Sequence, residues 1–464
     1  MPVPDLSQII KAYDVRGVYP DQLDAELAER VGAAFARVVG ASRREGGPGA
    51  VVVGRDMRPS GPELVAAFCR GVNAQGVDVI DIGLASTDQL YFAAGRLDLP
   101  GAMFTASHNP ARYNGIKLCR AGATPVGQDS GLGQIREMVA EPIAPSGDPL
   151  GSIVHRDVLA DYASFLRELV DLSAVRPLRV VVDAGNGMAG HTAPAVLDVP
   201  GLDVVGLFFE LDGTFPNHEA NPIEAENLRD LQAAVLAEGA DLGLAFDGDA
   251  DRCFLVDERG ELVSPSALTG LIAARELAKH PGAPIIHNLI TSAAVSEVIA
   301  ENGGQPVRTR VGHSFIKARM AETGAVFGGE HSGHFYFRDF WNADSGMLAA
   351  LHTIAALGGT GHGTTLSELL APYERYVATG EINSVVADTA AATERVRADF
   401  EASGAEFDHL DGMTVTGPDW WFNVRPSNTE PLLRLNAEAP DEAAMVTLRD
   451  RVLALIRDEG DEDA

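Results

Sequence analysis

At 464 residues the chain is too long for a single hydrophobic core, and ordinary domain sizes make three or four domains the expectation. Its composition, 46% hydrophobic and 22% charged, excludes the disordered and fibrous classes. The formal net charge of -30, from 66 acidic against 36 basic residues, repels nucleic acid and anionic membranes, so neither is an expected partner. A phosphate-binding role would then require Arg and Lys to be concentrated locally. Cys69, Cys119 and Cys253 lie far apart and suggest neither a disulfide framework nor a Cys-based zinc site. The opening MPVPDLSQII is no basic-then-apolar leader, and a cytoplasmic location is expected.

From residue 50 short apolar runs alternate with amphipathic stretches: AVVVGRD, PELVAAFCRGVNAQG, VDVIDIG, TDQLYFAAGRL and GAMFTASHNP. This predicts strand, helix, strand, helix, strand. The last strand ends in TASHNP at 105–110, and a Ser at a strand's carboxyl end stands where α/β proteins bind ligands. Ser107 is therefore a candidate nucleophile, although the same residues also make ordinary turns. His108 is adjacent and Lys117 follows beyond a YNG turn, giving a base and a cation to activate a hydroxyl or neutralise its phosphate.

After PIAPSGDPLG at 142–151 the rhythm restarts, with strands expected near 178–183, 202–209 and 241–246 around a helix at 227–238. RVVVDAG leads into Gly185, Gly187 and Gly190 in GxGxxG spacing, with Glu210 closing the next strand, which mimics a dinucleotide fingerprint. A tight strand-to-helix turn needs glycines too, and a nicotinamide enzyme leaves the carboxylates that follow without a role. The strand LGLAF runs into DGDADR at 247–252, placing Asp247, Asp249 and Asp251 at alternate positions on one side of an expected extended loop. Three such carboxylates repel unless a cation sits among them, and hard oxygen ligands suit Mg²⁺. An EF-hand reading fails because Arg252 stands where the loop needs Gly and the apolar strand CFLV follows where a helix should begin.

A third unit opens with the hairpin-like CFLVDERGELV. It continues with helix 266–279, strand 284–290, helix 292–302, strand 306–311, helix 313–323, the strand AVFGGEH and a helix near 344–357. In VFGGEHSGHFYF at 326–337, Glu330, His331, Ser332 and His334 offer donors and acceptors for vicinal sugar hydroxyls, while a zinc reading lacks a third ligand. VGHSFIK adds His313 and Lys317 at a helix start. GGTGHGT at 358–364 approaches a linker, and residues 381–464 follow an α+β pattern. There NVRPSNTEP at 423–431 supplies Arg425, Ser427, Asn428 and Thr429, a set suited to a phosphate dianion.

Together these four stations resemble the α-D-phosphohexomutase superfamily, in its phosphomannomutase/phosphoglucomutase branch, over essentially the whole chain. TASHNP is similar to the phosphoserine loop, DGDADR to the metal loop, GEHSGH to the sugar loop and RPSNTEP to the phosphate-binding loop, in the family's order. KAYDVRG at 11–17 resembles the opening segment, which carries Tyr13 and Arg16 over as active-site lining. The resemblance implies three similar α/β domains and a C-terminal α+β domain of TATA-binding-protein-like fold around a central cleft. The domains are expected at 1–150, 151–253, 254–370 and 371–464.

It further implies that Ser107 carries phosphate and helps Asp247, Asp249 and Asp251 hold one Mg²⁺, with Arg252 neutralising charge and Lys117 or His108 serving as general acid and base. Hexose 1,6-bisphosphate is the implied intermediate, small sugar phosphates the implied ligands, and the implied assembly is a monomer or dimer. One departure is that IIHNLITS lacks the lysine common in this strand, which shifts weight to His313 and leaves Asn288 and Lys317 without an assigned part. Another is His331, where a Gln would have indicated a phosphoglucosamine mutase, so mannose and glucose phosphates are expected over amino sugars. The rival readings are a metal-dependent sugar phosphatase and a silent sugar-phosphate-binding protein.

Overall fold

A computed structural model of the chain describes residues 5–42, 46–361, 363–427 and 432–457, with only the backbone of His313 and Ser314. The first sheet is built from β1 (Val15–Val18), β2 (Ala50–Arg55), β3 (Asp78–Leu84), β4 (Gly101–Phe104), β5 (Tyr113–Cys119) and β6 (Ile153–His155), ordered β1-β5-β4-β2-β3-β6. Strands β4, β2, β3 and β6 run parallel, and β5 returns antiparallel beside β4. Strand β6 takes this sheet past the expected boundary at 150. The second sheet has β7 (Leu178–Asp183), β8 (Leu202–Leu207), β9 (Leu242–Phe246) and β10 (Cys253–Asp257), ordered β10-β9-β7-β8. Only β10 is antiparallel. The third has β11 (Pro284–Asn288), β12 (Gln305–Thr309), β13 (Phe327–Gly329), β14 (Phe335–Phe337) and β15 (Ala343–Asp344), ordered β12-β11-β13-β14-β15.

The three sheets share one device that positions the site. In each, a strand of the parallel set turns straight back into an antiparallel neighbour: β4 into β5, β9 into β10, β13 into β14. TASHNP, DGDADR and GEHSGH are those three turns, so equivalent corners of three units carry three of the candidate stations. The strands feeding them are buried along their whole length, with β4 and β9 buried at every residue. That is why they read as unbroken apolar runs, since helices cover both faces.

The fourth sheet is antiparallel, formed by β16 (Val377–Ala378), β17 (Ile382–Val385), β18 (Glu406–Asp408), β19 (Met413–Thr416), β20 (Trp421–Pro426) and β21 (Leu432–Ala439). Helices Thr389–Glu401 and Glu442–Arg457 close its core through Val396, Phe400, Val452 and Ile456. The first three units pool residues such as Met103, Val182, Leu244 and Phe335 in one continuous core, whereas the fourth keeps its own. Hydrophobic burial therefore binds three units together, and polar contacts such as Arg308 with Asp408 and Ala293 N with Glu438 reach the fourth. Among the described residues no helix is long and apolar enough to cross a membrane.

Two local expectations need correction. YNG is not a turn, because Tyr113, Asn114 and Gly115 lie within β5. Gly115 is needed there since a Cβ would come 2.5 Å from Val15 O and 2.7 Å from Thr105 O. DGDADR is not extended either: Ala250 N donates to Asp247 O at 3.0 Å and Ala250 has φ of 58°, so a tight turn converges the carboxylates. Helices Ala25–Val38 and Ala189–Val196 were also outside the elements expected from the sequence.

Candidate active site

Ser107 sits at the corner after β4 with φ of 49°, a left-handed conformation that costs a non-glycine residue energy and must be imposed by its surroundings. Its amide donates to Thr105 Oγ1 at 2.9 Å, and its Oγ donates to Asp247 Oδ2 at 2.7 Å and lies 3.1 Å from His108 Nδ1. The imposing agent is Arg58, fully buried, whose guanidinium donates to the carbonyls of Ser107, Asn109, Pro110 and Tyr113 at 2.6 to 2.9 Å while paired with Asp56 at 3.1 Å. Arg16 braces the same loop through Ala106 O at 3.1 Å and Asn109 Oδ1 at 2.5 Å. His108 opens to the cleft, yet the surrounding protein mass and the cations Arg252 and Arg16 push its pKa down, to about 3, so the imidazole is neutral.

Asp247, Asp249 and Asp251 are buried and offer carboxylate oxygens that lie within 4.8 Å of one another. Gly248 makes this possible, because a Cβ there would come 2.5 Å from Ser107 O. Behind it, Gly187 packs so that its own Cβ would meet Gly248 O at 2.8 Å, and Met188 N donates to that carbonyl at 2.9 Å. Gly187 of the GxGxxG run thus seats against the aspartate turn, while Gly190 packs on the Phe209 backbone.

Lys117 Nζ donates to Asp249 Oδ2 at 2.7 Å and Asp251 Oδ2 at 2.5 Å, Arg252 pairs with Asp247 at 3.0 Å, and Thr87 Oγ1 donates to Asp249 Oδ2 at 2.6 Å. Burial would lower the pKa of Lys117, but Asp249 and Asp251 outweigh it and hold the ammonium well above its usual value. Burial pushes Asp247 up to about 7, helped by its two like-charged neighbours, whereas Lys117 overcomes burial at Asp251 and holds it at about 2. Three buried carboxylates face two cations, and Oδ1 of Asp249 and of Asp251 has no hydrogen-bond donor. A divalent cation satisfies both deficits, so this donor set fits a hard, oxygen-liking metal.

The third corner joins the second directly: Arg252 and His334 form an antiparallel bridge, and Cys253 N donates to Gly333 O at 3.2 Å. Glu330 is buried, with Oε2 accepting from Tyr336 Oη at 2.6 Å and Oε1 from Gly312 N at 3.1 Å and Asn288 Nδ2 at 3.4 Å. Ser332 Oγ lies 2.9 Å from His334 Nδ1, and His334 Nε2 is 3.7 Å from Asp251 Oδ1. His331 instead lines a cavity of about 600 Å³ shared with Trp421 and Tyr373, apart from its loop neighbours. Lys317 is buried in an ion pair with Asp344 and lies 4.3 Å from the Tyr91 ring centre, a packing role that its helix-start position did not reveal.

Tyr13 is 39% exposed, and its hydroxyl reaches 4.0 Å from where a Cβ on Gly312 would stand. The backbone of His313 opens helix His313–Thr323, and its side chain lies outside the described residues, as do Asn428 and Thr429 altogether. Arg425 sits at the end of β20 between Asp411 at 3.4 Å and Glu381 at 3.3 Å, and Ser427 N donates to Leu432 O at 2.9 Å. Sequence reasoning missed Arg58 and Thr87. A signal existed for the first, since GRDMRPSG places paired charges at the end of a strand in the same sheet as Ser107.

Four family models match in order: phosphoglucomutase/phosphomannomutase domain I over residues 7–142, domain II over 160–260, domain III over 265–376 and the C-terminal domain over 381–455. The chain is 42% identical over 441 residues to phosphohexose mutases of Xanthomonas campestris pv. campestris, covering 95% of this chain and 96% of the relative. It is 40% identical over 459 residues to a phosphomannomutase of Escherichia coli, covering 96% and 98%. A crystal structure of a phosphoglucomutase/phosphomannomutase family protein from Burkholderia thailandensis superposes with a TM-score of 0.87 at 36% identity, covering 98% of each chain. The turn that holds three aspartates against a strained serine is thus one part of a match that runs from end to end, and the chain belongs to the phosphoglucomutase/phosphomannomutase family.

Proposed function

We propose that the protein interconverts hexose 1-phosphate and hexose 6-phosphate, acting on mannose and glucose phosphates through a phosphoserine at Ser107. The observation that carries this reading is the strained Ser107 hydroxyl, 2.7 Å from Asp247 and seated on a buried three-carboxylate turn. A phosphoryl group leaves Ser107 Oγ for O6 of a hexose 1-phosphate, giving a hexose 1,6-bisphosphate and a free serine. The bisphosphate turns over, and the phosphoryl group on O1 returns to Ser107, releasing hexose 6-phosphate. No phosphate is lost and no oxidation state changes.

Asp247, Asp249 and Asp251 are the residues that would hold Mg²⁺, which would supply charge stabilisation to the transferring phosphoryl group. Arg252 and Lys117 add positive charge beside Ser107. His108, 3.1 Å from Ser107 Oγ, and Lys117, bonded to Asp249 and Asp251, are the two candidates for the general acid and base. Glu330, Ser332 and His334 read the sugar, and Arg425 with Ser427, Asn428 and Thr429 holds the phosphate that is not reacting. The separate core of the fourth unit allows it to close over the substrate and exclude water, which protects the phosphoryl group from hydrolysis.

A coupled assay on mannose 1-phosphate, glucose 1-phosphate and glucosamine 1-phosphate, with Mg²⁺ and a trace of hexose 1,6-bisphosphate, tests the reading. Formation of the 6-phosphates of mannose and glucose is expected. Release of inorganic phosphate in their place would make the protein a phosphatase, and turnover of glucosamine 1-phosphate alone would make it an amino-sugar mutase.

A further inference from the structure

Thr87 and Asp88 open the helix Thr87–Leu97 of the first unit, and Thr87 touches the aspartate turn 162 residues away. Thr87 makes two bonds to one residue: its N–H donates to Asp249 O at 3.0 Å and its Oγ1 to Asp249 Oδ2 at 2.6 Å. Both Thr87 and Asp249 are fully buried. Lys117 holds the same Oδ2, so the two donors together leave Oδ1 of Asp249 turned away from them and without a hydrogen-bond donor.

The helix that presents Thr87 is itself pinned by Asp88. That carboxylate is fully buried, and no cation pairs with it among the described residues. It accepts from Ser86 Oγ, from Tyr162 Oη at 2.7 Å and from Ser345 Oγ at 2.6 Å. Tyr162 lies on helix Leu159–Leu169 ahead of the second sheet, and Ser345 caps helix Gly346–Gly358 of the third unit. Ser86 and Ser345 are both N-caps, so the anion stands at the heads of two helices, where their dipoles favour negative charge. A buried carboxylate is tolerated only when fully hydrogen-bonded, and satisfying this one requires elements from all three units to meet at fixed positions.

We propose that Thr87, anchored by Asp88, is a positioning residue that aims the Asp249 carboxylate at the metal across the boundary between the first and second units. The inference rests on the reading of the aspartate turn as a metal site and goes beyond it to what orients the middle ligand. Groups that orient metal ligands typically contribute about 10- to 100-fold to metal affinity. Without the Thr87 hydroxyl, Asp249 is free to swing wholly onto Lys117, and the ammonium then competes with the metal for it.

The test is Mn²⁺ binding to the full-length protein, followed by electron paramagnetic resonance without substrate, for the wild type, Thr87→Val, Thr87→Ser and Asp249→Asn. Thr87→Val keeps the shape and removes the hydroxyl, and it is expected to weaken Mn²⁺ binding about tenfold or more. Thr87→Ser keeps the hydroxyl and is expected to stay within about threefold of wild type, with both variants melting close to it. If Thr87→Val does not fold, Thr87→Ala removes the same donor. Equal Mn²⁺ affinity in the wild type and the hydroxyl-less variant overturns the proposal, as does equal weakening by Ser and Val, which would mark a packing effect. Failure of the wild type to bind Mn²⁺, or unchanged binding by Asp249→Asn, overturns the metal reading itself and is distinguishable from both.

Discussion

Glu330→Gln and Glu330→Ala separate what the Glu330 charge does for the sugar from what its shape does for the protein. Oε2 accepts from Tyr336, and Oε1 from Gly312 N and Asn288 Nδ2, which leaves one further lone pair, on Oε2, for a sugar hydroxyl. In Glu330→Gln the amide oxygen can keep Gly312 and the amide nitrogen can donate to Tyr336, so the loop is retained while the charge is lost. A hydrogen bond to a charged group contributes about 1.5–3 kcal/mol and a neutral one about 0.5–1.5. One such exchange at about 1–1.5 kcal/mol amounts to about 5- to 13-fold in kcat/KM.

Glu330→Ala also strands the Tyr336 hydroxyl and the Gly312 amide, and it should lower stability by about 1–3 kcal/mol as well. The assay is kcat/KM on mannose 1-phosphate and glucose 1-phosphate for both variants, with thermal melts alongside. The two substrates differ only at C2, so a contact to the hydroxyls they share at O3 and O4 must cost both equally. A change in the mannose-to-glucose preference of more than about tenfold in Glu330→Gln would refute the reasoning.

Asp249→Asn removes one of the three charges proposed to hold the metal, so activity should fall and be partly recovered by excess Mg²⁺; full activity in a chelator would reduce the turn to a structural feature. Arg58→Lys retains the charge but cannot fork to four carbonyls, so circular dichroism should be unchanged while phosphorylation of Ser107 and kcat both drop at least about tenfold, the scale of one lost charged hydrogen bond. His218 is pulled down by burial, but its bond to Asp183 at 3.1 Å outweighs this and raises its pKa. A histidine whose folded pKa is raised stabilises fully below its unfolded value of about 6.5 and loses that contribution as pH rises through the folded value. Melting of wild type minus His218→Gln should therefore show a larger gap at pH 6 than at pH 9, and an equal gap would remove the ionic part of the pair.

The residues legible in the sequence are those that act within a few positions of one another on a strand end. Ser107 and His108, the Asp247 to Asp251 turn, and Glu330 with Ser332 and His334 each occupy one corner, so their grouping can be read from the sequence alone. What escaped depends on contacts between distant segments. Arg58 staples a loop about 50 residues ahead, and Thr87 bonds a carboxylate 162 residues away, neither of which leaves a periodic trace. The aspartate turn was expected to be extended because alternation puts side chains on one face, but Gly248 must admit the Ser107 carbonyl and Ala250 goes left-handed to do so. His331 looked like its neighbours by spacing, yet it lines the cavity it shares with Trp421 and Tyr373, whereas Glu330 is buried against Tyr336 and Gly312.

The central claim is that Ser107 carries the phosphoryl group, and intact-mass measurement tests it most directly. After incubation with glucose 1,6-bisphosphate, the wild type should gain about 80 Da, the mass of one phosphorylation, and Ser107→Ala should gain none while keeping the wild-type fold. An unmodified wild type, or an adduct retained in Ser107→Ala, would contradict the account.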